Sequence, residues 1–416
     1  MINVDISNVW TCVSLPDLLG SEQEVFDAHL RLRDNTPEGP DHMGWLNMPG
    51  TASGRMIYGI REAAKRICGN SDILVVCGSG GTYLGAKAAV KALGNETDTR
   101  LLFVGQSLSS AEFLELGRVL QNKDYSLFII SADGAAMATN IAVRSLRWMM
   151  ERKYGAQAKE RICVATMVGT QMHTMAQEEG YTLFPLPKQL GGASSALTSA
   201  AFVPMAVAGI DPLAVLEGAA ESHWELDIRA FENPAWIYAG IRHALMKQGR
   251  NRELLCLTDP GLQASGYWLQ RMAWQRQVDV SVETVLLPGD LDAMDAMATD
   301  PRSRAFETLL HFAGETRRVP VEMDWKDYDG LGFLSGKTVE DVERGMVQAL
   351  ISVHNDAGVP ILDVDAGTLT AENYGAMVYF FELANALNSV MNDHDPFAPF
   401  GGTVAQTAMR LLGGAC

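Results

Sequence analysis

Between residues 72 and 187, short unbroken apolar runs alternate with longer segments of helical periodicity. DILVVCGS (72–79), LLFVGQS (101–107) and YSLFIIS (125–131) are such runs, and RICVAT and YTLFPLP (181–187) close the series. Between them, GTYLGAKAAVKAL and AMATNIAVRSLRWMMERKYG place apolar residues three and four apart. A run apolar on both faces reads as a strand buried from both sides, and strands separated by helices pair in parallel. The first half therefore predicts a parallel sheet covered by helices.

The same alternation returns further on. Helical segments PLAVLEGAAESHWEL and PAWIYAGIRHALMKQG lead into the strand ELLCLT, the helix GYWLQRMAWQRQ and the strand VSVETVLL. TVEDVERGMVQALISVHNDAG predicts a long helix with an acidic first turn, VPILDV a strand, and ENYGAMVYFFELANALNSVMN another helix. The expectation is two α/β sandwiches in tandem, with a boundary near residues 186–196. A chain of 416 residues is long enough for two cores.

Composition narrows the partners. Apolar residues make up 47% and charged residues 20%, a globular balance with a real interior. The net charge of −17 repels nucleic acid and anionic membranes, so neither is expected as a partner. The opening MINVDISNVWTCVSLPDLLG has no basic segment followed by an apolar stretch, and no run reaches membrane-span length. Six cysteines lie scattered without C-x-x-C spacing, which fits free thiols in the cytoplasm and no metal site. No cofactor is expected either.

One turn carries a chemical signal. CGSGGTYLGA, with Gly78, Ser79, Gly80, Gly81 and Thr82, follows a strand and opens a helix. Amides at a helix N-terminus bind anions, and glycines permit close approach. The spacing is not G-x-G-x-x-G, and no acidic residue ends a second strand at the usual distance, which argues against a dinucleotide. Glycines that merely permit a tight turn are the plain alternative.

ILVVCGSGGTYLGAKAA resembles the sugar-binding turn of glucose-6-phosphate isomerases, G-I-G-G-S-Y-L-G-A. Blocks such as FVGQSLSSAEFLEL, EEGYTLFPLPKQLGG, ENPAWIYAGIRHALMKQG, NDAGVP, MVYFFELANALN and NDHDPFAP extend the likeness in the family's order from about residue 40 to 412. The resemblance implies two sugar-isomerase (SIS) domains, each a three-layer α/β/α unit with a mostly parallel sheet. The first would span 45–190, the second 1–44 plus 191–416. It also implies a homodimer with active sites at the subunit boundary.

Aldose–ketose isomerisation needs a base to move a proton between C1 and C2, an acid to open the ring, and positive charge for enediolate and phosphate. The family's phosphate loop reads S-K-S-G-T-T-T-E-P; here Ser131, Ala132, Asp133, Gly134, Ala135, Ala136 and Met137 stand in it. A carboxylate at ~4 Å from a phosphate charge costs ~4 kcal/mol at an effective dielectric of ~20. Alternatively, Asp133 caps the following helix. The family's arginine in G-G-R-[FY]-S is matched by Ala193, followed by Ser194. Its catalytic glutamate is matched by Gln275, between Trp274 and Arg276, with Asp259 and Asp279 as the nearest carboxylates. The ring-opening histidine is matched by Asp292, and the C-terminal lysine by Gln406, or Ala405 one position off. His311 and His354 stand where the family has non-catalytic histidines, and both are expected to be structural.

Every charge-bearing catalytic position is thus neutral or reversed. The expectation is a pseudoenzyme on the isomerase scaffold, with any ligand at Gly78–Thr82, Ser131, Asp133 and Gly134 being sugar-like and less anionic than a sugar phosphate. Two alternatives stay open. One is an active isomerase in which Arg276, Arg302 and Arg304 rebuild the phosphate site and Asp292 serves as base. The other is a dimeric interaction scaffold.

Overall fold

The computed structural model describes residues 2–34, 54–94, 96–187, 194, 196–298, 300, 302–312, 318–396 and 403–413. Strand β1 (Asn3–Asn8) and helices α1 (Leu15–Asp34) and α2 (Gly54–Asn70) come first. They are followed by β2 (Ile73–Gly78), α3 (Gly80–Leu93), β3 (Arg100–Val104), α4 (Ser110–Gln121), β4 (Tyr125–Ile130) and α5 (Met137–Tyr154). Next come β5 (Ile162–Met167), α6 (Gln171–Glu178), β6 (Thr182–Leu186), α7 (Ser199–Val207), α8 (Pro212–Glu225) and α9 (Pro234–Lys247). The chain continues through β7 (Arg252–Leu257), α10 (Gln263–Arg276), β8 (Ser281–Leu286), α11 (Leu291–Ala298) and β9 (Ala305–His311). It ends with α12 (Val339–Asp356), β10 (Ile361–Asp365), α13 (Ala371–Met391) and α14 (Thr403–Leu411).

Two five-stranded sheets result. The first has the order β3-β2-β4-β5-β6 and is parallel throughout; every residue of β2 and β4 is buried, as an unbroken apolar run requires. The second has the order β1-β10-β9-β7-β8, and only β1 runs antiparallel. Two of its strands escape the apolar-run criterion. In β1 (NVDISN) just one residue is fully buried, and in β9 (AFETLLH) the apolar run is broken by Glu307.

Helix α13 is buried from Tyr374 to Val390 and packs against α1, α8, α9 and α10, so it is predominantly apolar rather than one-sided. It crosses α8 at unusually short range. A Cβ on Gly218 would strike the Glu372 carbonyl, and one on Gly375 the Val215 carbonyl. Glycine at both positions lets the two backbones meet. The long helix α12 starts where the acidic turn predicts, on a capping box in which Thr338 and Asp341 each bond the other's backbone amide. No described helix is long and apolar enough to cross a membrane.

Candidate active site

In the first sheet the chain leaves β2 toward β3 on one side and returns to β4 on the other. Such a reversal opens a crevice beyond the carboxyl ends of the two central strands, where ligands of α/β sheets bind. The turn Gly78–Thr82 leads out of β2 and the loop Ser131–Met137 out of β4, so both sequence-predicted segments flank this crevice. Their strands pair up to Gly78 and Ile130, where there is no room for a side chain: a Cβ on Gly78 would come within 2.8 Å of the Ile130 carbonyl oxygen and 3.0 Å of the Tyr83 ring. Gly80 sits at φ 75°, in the left-handed region that a side chain rarely tolerates. Ser79 precedes α3, but its hydroxyl does not cap that helix. It lies 2.8 Å from the Thr139 hydroxyl, which donates at 3.3 Å to the Gly105 carbonyl. The glycine turn, the loop after β3 and the start of α5 are thereby tied together.

The loop after β4 keeps part of a cradle. Ser131 donates its amide to Ala165 at 3.0 Å, while its buried hydroxyl has no hydrogen-bond partner. The N-cap of α5 is Ala136, whose methyl cannot accept a bond from the first-turn amides. Asp133 is exposed, and its Oδ1 accepts from the Ala135 amide at 3.0 Å. That bond closes an Asx turn ahead of the helix, so Asp133 does not act as the α5 cap. Gly134, at φ 75°, turns its carbonyl to accept from Asn140 at 2.8 Å.

The second group of candidates forms around the end of α10. Gln275 is half-buried, and the adjacent Arg276 is entirely inside. The Arg276 guanidinium donates to the Ser194 hydroxyl and, at 3.1 Å, to the Pro396 carbonyl. Burial pushes its pKa down to about 10, against the opposing charges of Glu382 and Asp395. Glu382, on α13, is fully buried, with neither carboxylate oxygen hydrogen-bonded. Burial raises its pKa well above the ordinary carboxylate range, and Arg276 pulls the other way. Segments more than a hundred residues apart thus converge on one buried ion cluster beside Gln275.

No family profile matches this chain. Individual proteins do. The glucose-6-phosphate isomerase of Bacillus cytotoxicus is 32% identical over 417 residues, covering 95% of this chain and 92% of that one. That of Staphylococcus haemolyticus is 33% identical over 409 residues at the same coverage. The chain belongs to the glucose-6-phosphate isomerase family. Solved structures agree on the fold. A hypothetical protein from Thermus thermophilus superposes over the full length of both chains with a TM-score of 0.90 at 19% identity. A glucose-6-phosphate isomerase from Chlamydia trachomatis reaches 0.78 at 14% identity, over 95% of this chain and 84% of that one. A phosphosugar isomerase fold of two α/β/α units is what these neighbours share with it.

Two of the positions matched to the glucose-6-phosphate isomerase family lie at the surface of the chain. Asp292 is exposed in the first turn of α11, and Gln406 is exposed on α14. Ala193 lies outside the described residues. The two carboxylates nearest Gln275 in sequence are both engaged elsewhere: Asp279 pairs with His394 at 2.8 Å, and Asp259 accepts from the Gly261 amide at 2.7 Å. A rebuilt phosphate site from three arginines does not form among the described residues. Arg302 is exposed and paired with Asp300 at 3.1 Å, and Arg304 precedes β9 at the amino end of the second sheet, against Gly249. Arg276 is spent on its own cluster. His311 and His354 are hydrogen-bonded inside the second unit, to Asp363 at 2.6 Å and Glu307 at 2.8 Å, as expected of structural histidines. Two concavities of about 420 and 300 Å³, along α2, α7 and α8, are lined by none of the candidates.

Sequence reasoning passed over Glu382 and Asp395. For Glu382 a signal existed: it is the single charge between Tyr374 and Val390, in a predominantly apolar helix. A lone carboxylate there must find a counter-charge or stay protonated. Nothing in the sequence pointed to Arg276 as that counter-charge.

Proposed function

We propose that this member of the glucose-6-phosphate isomerase family does not isomerise sugar phosphates and binds a neutral or amino sugar at the crevice between β2 and β4. The observation that carries the reading is the end of α10. Gln275 stands where the resemblance places the family's base, and an amide has no useful basicity. The carboxylate closest to it through Arg276, Glu382, is sealed in a buried cluster. At the crevice, the Ser131 hydroxyl and the uncapped amides of α5 offer hydrogen bonds, while Asp133 sets a carboxylate at the rim. Hydroxyls both donate and accept, and an ammonium group would meet Asp133 favourably, whereas a phosphate dianion meets like charge. Isothermal calorimetry with glucosamine, glucose and glucose 6-phosphate tests the preference. Glucosamine or glucose is expected to bind at least about tenfold more tightly than glucose 6-phosphate, a difference of about 1.4 kcal/mol. The reverse order would overturn it.

Two observations favour an active isomerase instead: the 32–33% identical relatives carry that enzyme's name, and the α5 amides with Ser131 keep part of an anion cradle. Turnover decides between the two. We further propose a cytoplasmic homodimer rather than a hetero-oligomeric scaffold. Trp325, Tyr328 and Phe333 are 89, 83 and 72% exposed in one segment, and Val404 and Leu411 of α14 are 83 and 82% exposed. Large apolar groups this exposed ask for cover, and a second copy is what the family resemblance implies. Sedimentation of the native chain is expected to give twice the chain mass, with the Trp325→Ala/Phe333→Ala variant shifted toward a single chain. A monomeric native protein would rule the dimer out.

A further inference from the structure

Helix α11, which carries Asp292, is attached in two ways. Met294 is buried, its sulfur 3.8 Å from the Cys256 thiol of β7, and Leu291 packs partly buried against the same apolar cluster. Asp292, Ala293, Asp295 and Ala296 are exposed. The second attachment is polar. His354 of α12, only 1% exposed, places Nδ1 2.8 Å from Glu307 Oε1 and Nε2 3.5 Å from Asp295 Oδ1. Glu307 is wholly buried in the middle of β9, and its other oxygen has no hydrogen-bond partner. The imidazole therefore bridges a buried carboxylate of the sheet and a half-exposed carboxylate of α11. Glu307 faces it from β9 and Asp295 from α11, while the Cys256 thiol of β7, buried and neutral, lies beside Glu307.

We propose that Glu307, His354 and Asp295 form a pH-dependent latch, which holds α11 and its Asp292 against α12 while His354 is charged and lets that helix loosen when the imidazole is neutral. A charged imidazole donates from both nitrogens and satisfies both carboxylates. The neutral ring has one N–H. Glu307, buried and short of donors, has the stronger claim on it, and the Asp295 link is lost. Burial by itself would lower the His354 pKa, but the hydrogen bond to Glu307 and the charges of Glu307 and Asp295 raise it above the ordinary histidine value. The sign follows. A raised histidine pKa means a contribution fully present below about pH 6.5 and lost as pH climbs through the folded-state value. The latch thus engages at low pH and releases as pH climbs through the raised folded-state value.

Hydrogen exchange is read without any ligand, so the latch stands or falls independently of the sugar-binding proposal. Peptides covering α11 in the native chain are compared at about pH 6 and about pH 8.5, with rates corrected for intrinsic exchange. Protection is expected to fall about fivefold on the alkaline side, the scale of one half-exposed ion pair. In Asp295→Ala the difference between the two pH values should vanish while the rest of the chain keeps its protection. His354→Gln, if it folds, should abolish it too. A native α11 with no pH dependence, or an Asp295→Ala variant that retains it, would overturn the latch.

Discussion

Given fructose 6-phosphate and a coupled glucose-6-phosphate dehydrogenase, the purified protein is expected to turn over at least about 10⁴-fold more slowly than an ordinary glucose-6-phosphate isomerase. A factor of 10⁴ is about 5.5 kcal/mol of transition-state stabilisation. Removing one positioned acid or base typically costs 10²–10⁴. On the proposed reading Gln275 stands in place of the base; Asp292 is exposed in the first turn of α11, and Arg276 is committed to Ser194 and Pro396. Residues that act as a unit do not repair one another singly. Gln275→Glu alone is therefore expected to recover less than tenfold, since the new carboxylate would still lack a ring-opening acid and an anion anchor. Native turnover within tenfold of an ordinary isomerase would falsify the loss of catalysis and leave the scaffold assignment untouched.

The second large effect concerns the buried cluster. Arg276→Ala removes a counter-charge from a carboxylate that is 0% exposed and has no hydrogen bond. Breaking a buried pair from one side typically costs about 3–5 kcal/mol, because the remaining charge is left without solvent or partner. Glu382 has one escape, which is to take a proton. Its folded-state pKa already lies above the ordinary value, and without Arg276 it would rise further. For a carboxyl raised in the fold, stability is full below the unfolded pKa of about 4.3 and is lost as pH rises through the folded value. The deficit of Arg276→Ala should thus be smaller at about pH 5 than at about pH 8. Urea unfolding at both pH values measures this. Replacing both partners, as Arg276→Met/Glu382→Met, should recover most of the loss, since an apolar pair of similar volume removes the uncompensated charge. A single-variant deficit below about 1 kcal/mol, or a double variant no better than the sum of the singles, would show that the two groups do not depend on each other.

Much of the fold could be read from periodicity, since a strand buried on both faces has no polar side to show. β2, β4 and β5 are of that kind; the first two lie within the apolar runs that predicted them, and β5 passes the end of its run by one residue, Met167. β1 and β9 could not be read in the same way. One alternates at a sheet edge and finds its partner β10 some 360 residues away; the other carries Glu307, tolerated in the interior because His354 reaches it from α12. The site divides similarly. The glycine turn was legible because backbone conformation is a local matter, as Gly80 at positive φ illustrates, whereas the loop after β4 was marked by the family resemblance alone. The role of Asp133 was not legible, since an aspartate before a helix closes an Asx turn or caps the helix according to a difference of a residue or two in register.

By itself the sequence determined that two mostly parallel sheets would form and which family the chain joins. Those follow from local periodicity and from residue identity. Only the tertiary structure decided what the groups are doing. It set Arg276 against Ser194, Pro396 and Glu382, hung α11 on the His354 bridge, and left Asp292 and Gln406 on the surface. The physical reason is that a charged side chain acquires its protonation, its partners and its availability from whatever the folded chain brings within a few ångströms, and for these residues nearly all of that comes from segments far away in sequence.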